Sequence, residues 1–174
     1  KFKQEETCNG ECYKTFEEQL AAIGIAKSDV GAIEIEAFLC DGGDMPFPAE
    51  YMQTLEKFCH ENDAYLIVDE VQTGIGRTGK LYAYEHYDIE PDIFTLAKGL
   101  ANGVPVGAML AKSSLGEAFS YGSHGSTFGG NKLAMAAAKA TLEVMLVPGF
   151  LDTAFENGNQ RNVNNCIGHH QSKQ

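Results

Sequence analysis

The sequence predicts an α/β domain built on a mostly parallel sheet flanked by helices. Three observations carry that prediction. Two short apolar runs, residues 64–68 and 93–97, stop abruptly at Asp69 and Lys98, as buried strands do. Residues 48–62 place apolar side chains three and four apart, the spacing of one helix face. Strand, helix and strand alternate along the chain, the order that crossover connections turn into a parallel sheet. At 174 residues without an internal repeat, the chain has the length of one domain.

Taken in order, residues 1–14 are polar, contain Asn9-Gly10 and are expected as loop. Thr15 followed by Glu18 has the pattern of a capping box, and Phe16, Leu20 and Ile23 follow at helical spacing, so a helix is expected over about 15–23. Residues 30–39, VGAIEIEAFL, are expected as a strand; Asp41-Gly42-Gly43-Asp44 with Pro46 and Pro48 end it. In the helix over 48–62 the buried face is Tyr51, Met52, Leu55, Phe58 and Cys59. Residues 64–68, AYLIV, are expected as a strand covered on both faces. A helix near 80–87 leads to the strand over 93–97, and residues 104–110, VPVGAML, are a further candidate strand. Asn131 caps a long Ala- and Met-rich helix running to about Leu146, which Pro148-Gly149 ends. Beyond Glu156 the apolar rhythm gives way to an Asn-, Gln- and His-rich tail. The organisation expected is a segment over 1–29 with no assigned packing, a partial domain over 30–147 and a divergent tail over 148–174.

The charge balance, 24 acidic against 13 basic residues for a net −11, argues against nucleic acid or an anionic membrane as partner. It leaves room for one small anion in a local pocket. No apolar run reaches the ~18 residues of a membrane span and no signal peptide is visible, so a cytoplasmic protein is expected. Cys8, Cys12, Cys40, Cys59 and Cys166 are odd in number and irregularly spaced. Neither a second Cys pair nor a spaced His pair completes a metal site with Cys8 and Cys12, and His169-His170 lie in the polar tail. Free thiols in a reducing compartment, with no metal, are the expectation.

The stretch LIVDEVQTGIGRTGK matches three motifs at once. Residues 74–79 spell G-x-G-x-x-G, yet in a dinucleotide fold the first glycine follows the strand directly, whereas Asp69 to Thr73 intervene here. A carboxylate there repels pyrophosphate. Residues 74–80 also spell G-x-x-x-x-G-K, but Leu81 stands where a magnesium-binding hydroxyl is needed, which argues against a nucleotide-hydrolysing loop. The third reading sets Asp69 and Lys98 at the ends of two strands facing one crevice, where open α/β sheets bind ligands. An acid and a lysine so placed suit pyridoxal 5′-phosphate. The amine forms a Schiff base with the cofactor aldehyde, and the carboxylate keeps the pyridine nitrogen protonated. The plainer alternative is a solvated lysine and a loop-capping acid. In YGSHGSTFGGN, residues 121–131, Ser126 and Thr127 stand among glycines just before a helix, a candidate contact for the cofactor phosphate.

These residues resemble the class III pyridoxal phosphate aminotransferases. The resemblance runs from LIVDEVQTGIGRTGKLYAYEHYDIEPDIFTLAKGLANGVPVGAML through HGSTFGGN and covers about residues 30–146. It implies the large domain of a fold-type-I transferase. Its wording is nearest the acetylornithine branch, with ornithine and 4-aminobutyrate as alternative donors and 2-oxoglutarate as acceptor. By the resemblance Lys98 carries the cofactor and moves the proton, Asp69 pairs with the pyridine nitrogen, Val71 packs on the ring and Gln72 bonds near the phenolic oxygen. It also implies a homodimer with a shared active site, in which Thr127 reaches the phosphate of the partner subunit and Ser126 lies near the substrate. The GIGRTG glycines then shape a turn, and Arg77 is a structural ion-pair partner.

Two departures stand out. Where the family has E-P-I-Q-G-E-G-G, this chain has Glu36-Ala37-Phe38-Leu39-Cys40-Asp41-Gly42-Gly43, keeping the acids Glu36 and Asp41 as candidate lining of a substrate pocket. Family members are also much longer, with an upstream phosphate loop and stacking aromatic and a downstream domain carrying a substrate-carboxylate arginine. The chain is therefore expected to be a fragment of such an enzyme, inactive alone, or a non-catalytic remnant of its fold.

Overall fold

The computed structural model of the protein describes residues 16–40 and 45–158. Helix α1 (Phe16–Ala22) leads to strand β1 (Ala32–Glu36), and a short hairpin follows, β2 (Phe38–Leu39) against β3 (Met45–Pro46). Helix α2 (Ala49–Glu61) then crosses to β4 (Tyr65–Asp69). Strands β5 (Ile93–Leu96) and β6 (Ala108–Ala111) precede helix α3 (Lys132–Met145), which a 77° bend separates from helix α4 (Phe150–Gly158). The sheet order is β1-β4-β5-β6; the first three strands are parallel, and β6 runs antiparallel to β5.

The helix face expected from periodicity packs this sheet. Met52, Leu55, Phe58 and Cys59 are buried on α2, and Met52, Leu55 and Cys59 join Leu66 and Val68 of β4 in the core. Each such aliphatic side chain stabilises the fold by about 1.5–3 kcal/mol relative to exposure. Burial, and secondarily the Asp92 charge, push the Cys59 thiol up to about 11, so it stays protonated in the core. Across the strands, Asp92 is a buried clip: its Oδ2 accepts the Leu66 N–H at 2.9 Å and its Oδ1 accepts from Lys112 Nζ at 3.0 Å.

Several elements differ from expectation. The strand over 30–39 breaks at fully buried Ala37, because the Tyr87 hydroxyl donates to the Ala37 carbonyl at 2.7 Å and diverts it from the ladder. Strand β4 is covered on one face only: Leu66 and Val68 lie under α2, whereas Tyr65 is exposed and Ile67 and Asp69 are half-buried. Helix α3 packs chiefly on the turn at Lys98–Ala101 and leaves that second face uncovered. The helix near 80–87 contracts to one 3-10 turn, Ala83–His86, where Glu85 Oε1 accepts the Tyr82 N–H and Asp88 adopts φ +57°. The strand over 104–110 is confined to β6, since Pro105 has no N–H and Gly103 turns at φ +109°. Helix α1 lies within the expected span, while its capping Thr15 falls outside the described residues, as do Cys8, Cys12, Asp41, Cys166, His169 and His170. No single helix among the described residues is long and apolar enough to cross a membrane.

Candidate functional site

Parallel pairing aligns the carboxyl ends of three strands. Glu36 of β1 is in register with Asp69 of β4, and Asp69 with Thr95 of β5. Registered neighbours project to the same face of a sheet. Accordingly, Thr95 Oγ1 donates to Asp69 Oδ1 at 3.2 Å, and the Val71 N–H donates to the same oxygen at 2.8 Å. Asp69 Oδ2 has no partner among the described residues. The half-buried Glu36 turns instead to its own hairpin, where its Oε2 accepts the Cys40 N–H at 2.9 Å.

Lys98 follows β5 at the start of a 3-10 turn, with its backbone in the left-handed region at φ +44°. Its side chain and those of Val71 and Gln72 line one cavity of about 390 Å³, together with Phe38, Cys40, Thr73, Gly74, Arg77, Thr78 and Gly99. This volume lies within the ~300–1,000 Å³ usual for small-molecule sites. Of the predicted residues, the fold therefore groups Val71, Gln72 and Lys98, with Asp69 fastened directly to Val71. It leaves Ser126 and Thr127 outside this cavity, on an exposed loop where Ser126 Oγ accepts the Gly129 N–H at 2.9 Å. Glu36 does not line the cavity, and Asp41 lies outside the described residues.

The GIGRTG loop has a packing explanation. A Cβ on Gly76 would fall 2.1 Å from Met145 Cε, and one on Gly79 2.7 Å from Phe155 Cβ, so α3 and α4 close directly on the loop. Its amides are engaged internally: the Gly74 N–H donates to the Glu70 carbonyl, that of Gly76 to Leu81 and that of Gly79 to Gly76. Such amides are not free to cradle phosphates. Arg77, expected as a structural ion-pair partner, forms no ion pair among the described residues and lines the cavity.

Glu70 was not singled out from sequence as a site residue, yet it organises this wall. It is buried, its Oε2 accepts the Thr73 hydroxyl at 2.5 Å and its Oε1 accepts the Tyr84 N–H at 2.8 Å. Burial raises its carboxyl above the usual range, while the bonds from Thr73, Tyr84 and Ala83 partly oppose the rise. A second acid directly after a strand-end acid was the available signal. Among the described residues, no group of three or more His, Cys, Asp or Glu could hold a metal ion.

The donor set fits a small aromatic aldehyde. A primary amine enters the cavity, an amide and a branched apolar side chain border it, and a carboxylate oxygen without a described partner sits behind Val71. Comparison with known proteins agrees. The chain matches the family described as Aminotransferase class-III over residues 1–162. It is similar to the acetylornithine aminotransferase of Streptococcus mutans, 54% identical over 145 residues that make 83% of this chain and 38% of that protein. The acetylornithine aminotransferase of Bacillus subtilis is 54% identical over 132 residues, 76% of this chain and 34% of that protein. Among solved structures, the ornithine aminotransferase of Toxoplasma gondii aligns with a TM-score of 0.73 at 38% identity, covering 83% of this chain and 33% of that one. Another structure of that enzyme carries partially occupied pyridoxal phosphate in its active site. The chain thus spans little more than a third of the length of the curated relatives it matches.

Proposed function

The chain belongs to the class III aminotransferases, and from that membership we propose that it forms part of the cofactor-holding domain of a pyridoxal 5′-phosphate enzyme. In this reading the enzyme moves the terminal amino group of an acetylornithine-type donor to 2-oxoglutarate, in the cytoplasm, as a homodimer with a shared site. The observation that carries it is the grouping of Lys98, Val71 and Gln72 on one cavity, with Asp69 held beside them on the registered strand ends. The 54% identity to two acetylornithine aminotransferases favours that donor over ornithine, whose enzyme is 38% identical.

When bound, the cofactor supplies an aldehyde that condenses with amines and a cationic ring that withdraws electrons. The protein's share is positioning and proton transfer. Lys98 Nζ would hold the cofactor and, when free, would carry the proton that leaves the amine-bearing carbon of the donor. Asp69 Oδ2 would hold the proton of the ring nitrogen, while Thr95 and the Val71 amide fix the other carboxylate oxygen and so set the plane of the group. Val71 would cover one ring face and Gln72 would donate to the phenolic oxygen. Ser126 and Thr127 lie on a loop outside the cavity, which suits a role across a dimer interface, Thr127 toward a second copy's phosphate and Ser126 toward the substrate.

Borohydride reduction of the full-length enzyme carrying this segment tests the reading. Mass spectrometry should find the cofactor fixed on the peptide containing Lys98, and Lys98→Ala should abolish that adduct and the transferase activity. An adduct that persists in Lys98→Ala would overturn the assignment. Absence of any adduct in the unmutated enzyme would identify a non-catalytic remnant of the fold.

A further inference from the structure

We propose that Glu70 is a positioning residue: by closing the turn that carries Val71 and Gln72, it fixes that wall of the cavity against the strand leading to Lys98. The inference rests on the roles read above for Val71, Gln72 and Lys98, and extends them to the acid beside Asp69.

One residue closes this turn twice. The Glu70 carbonyl accepts the Gly74 N–H at 2.9 Å, and its side-chain Oε2 accepts the Thr73 hydroxyl at 2.5 Å. Val71 and Gln72 are enclosed between these bonds, and both line the cavity. Thr73 and Glu70 are buried, so water competes little for the bond between them.

The same residue reaches outward to β5. Its Oε1 accepts the Tyr84 N–H at 2.8 Å, and the Tyr84 ring lies 5.5 Å from that of Phe94. Its own N–H donates to the Thr95 carbonyl at 3.0 Å. A Cβ on Gly74 would fall 3.0 Å from Leu96 Cδ2, so the closed turn rests on the strand end two residues before Lys98. Val71 and Gln72 are thereby held relative to β5 as well as to β4. All of these contacts lie within residues 70–96.

A carboxyl is a costly choice for such a place. Burying it disfavours folding even when it is bonded, and an apolar side chain would fill the space without that penalty. An apolar side chain could not tie Thr73 to Tyr84. Where reacting groups must meet in one geometry, a displacement of about 1 Å lowers the rate as much as a hundredfold. Holding the cavity wall in place is the gain that offsets the buried acid.

Two measurements on Glu70→Ala in the full-length enzyme carrying this segment test the proposal. Hydrogen exchange, followed by mass spectrometry before cofactor is added, should quicken about tenfold or more over residues 71–74 while β4 and β5 keep their protection. The kcat per cofactor-loaded site should fall about tenfold to a hundredfold, with the KM of the amino donor within about twofold of its original value. Glu70→Gln, whose amide can accept from Tyr84 and donate to the Thr73 oxygen, should restore most of both. A purely structural role predicts instead faster exchange spread evenly over the sheet and fewer loaded sites, each turning over at the unmutated rate. That outcome, unchanged exchange over 71–74, or a Gln variant as impaired as the Ala variant would overturn the proposal. Should Glu70→Ala fail to fold, Thr73→Val, which removes one arm and keeps the branched shape, is judged by the same criteria with Thr73→Ser as its conservative partner. Persistence of the borohydride adduct in Lys98→Ala would sink the assignment of Lys98 while leaving the exchange result readable by itself.

Discussion

Glu70 shows how a single side chain can serve architecture beside a candidate site. Its carboxyl lies above the ordinary glutamate range because burial disfavours the charge more than Thr73 and the Tyr84 amide restore it. The folded state then binds the proton more tightly than the unfolded chain. Stability contributed by this group therefore falls as pH rises from the unfolded value through the folded one. Glu70→Gln keeps the hydrogen-bonding shape and removes the titration, so its unfolding free energy should lose that decline. Urea unfolding on both sides of the ordinary glutamate pKa checks this, and parallel curves for the two proteins would refute it. At this scale the sequence was informative about the positions of Asp69 and Lys98, because strand ends are local patterns. The adjacent acid Glu70 was visible in the sequence, but its role was not, since burial depends on which elements pack around it.

At the scale of elements, the GIGRTG loop is held by helices that follow it by some seventy residues. Gly76 combines φ +77° with a Met145 methyl where a side chain would begin, whereas a Cβ at Gly31 meets nothing within 4 Å. Gly76→Ala should lower stability by about 1–3 kcal/mol, from strained backbone and overpacking, and Gly31→Ala should stay within about 0.5 kcal/mol. Urea unfolding of the two variants decides, and equal losses would contradict the packing account. Most elements were readable from periodicity: α2 and α3 lie where apolar spacing and Asn131 indicated, and Asn131 Oδ1 does accept the Ala134 N–H. The errors share a cause. The break at Ala37 and the shortened β6 depend on a distant tyrosine hydroxyl and on proline and glycine geometry that a run of apolar letters hides.

At the scale of the molecule, the described fold is lopsided. One sheet face and α2 form the core, while β6 is exposed along its whole length and is one of the two edge strands of the sheet among the described residues, β1 being the other. Met109 and Leu110 on that strand, and Leu133, Val144 and Phe155 on α3 and α4, are exposed apolar groups. An uncovered apolar edge promotes association between chains. This 174-residue chain should therefore scatter light increasingly with concentration, and Met109→Lys should reduce that scattering; a curve unaffected by the substitution would rule out the β6 edge as the contact. The sequence indicated fold class and family from motif order alone. The one-sided covering of the sheet was not legible, because an apolar strand looks the same whether its second face meets a helix of this segment or something else.

The left-handed backbone at Lys98 has a consequence for the whole lineage of such chains. A non-glycine residue in that conformation carries roughly 1–2 kcal/mol of strain, and glycine would relieve it. The mutation that most simply steadies this turn is thus one that removes the amine proposed to hold the cofactor. A copy released from selection for activity would gain stability by losing that lysine.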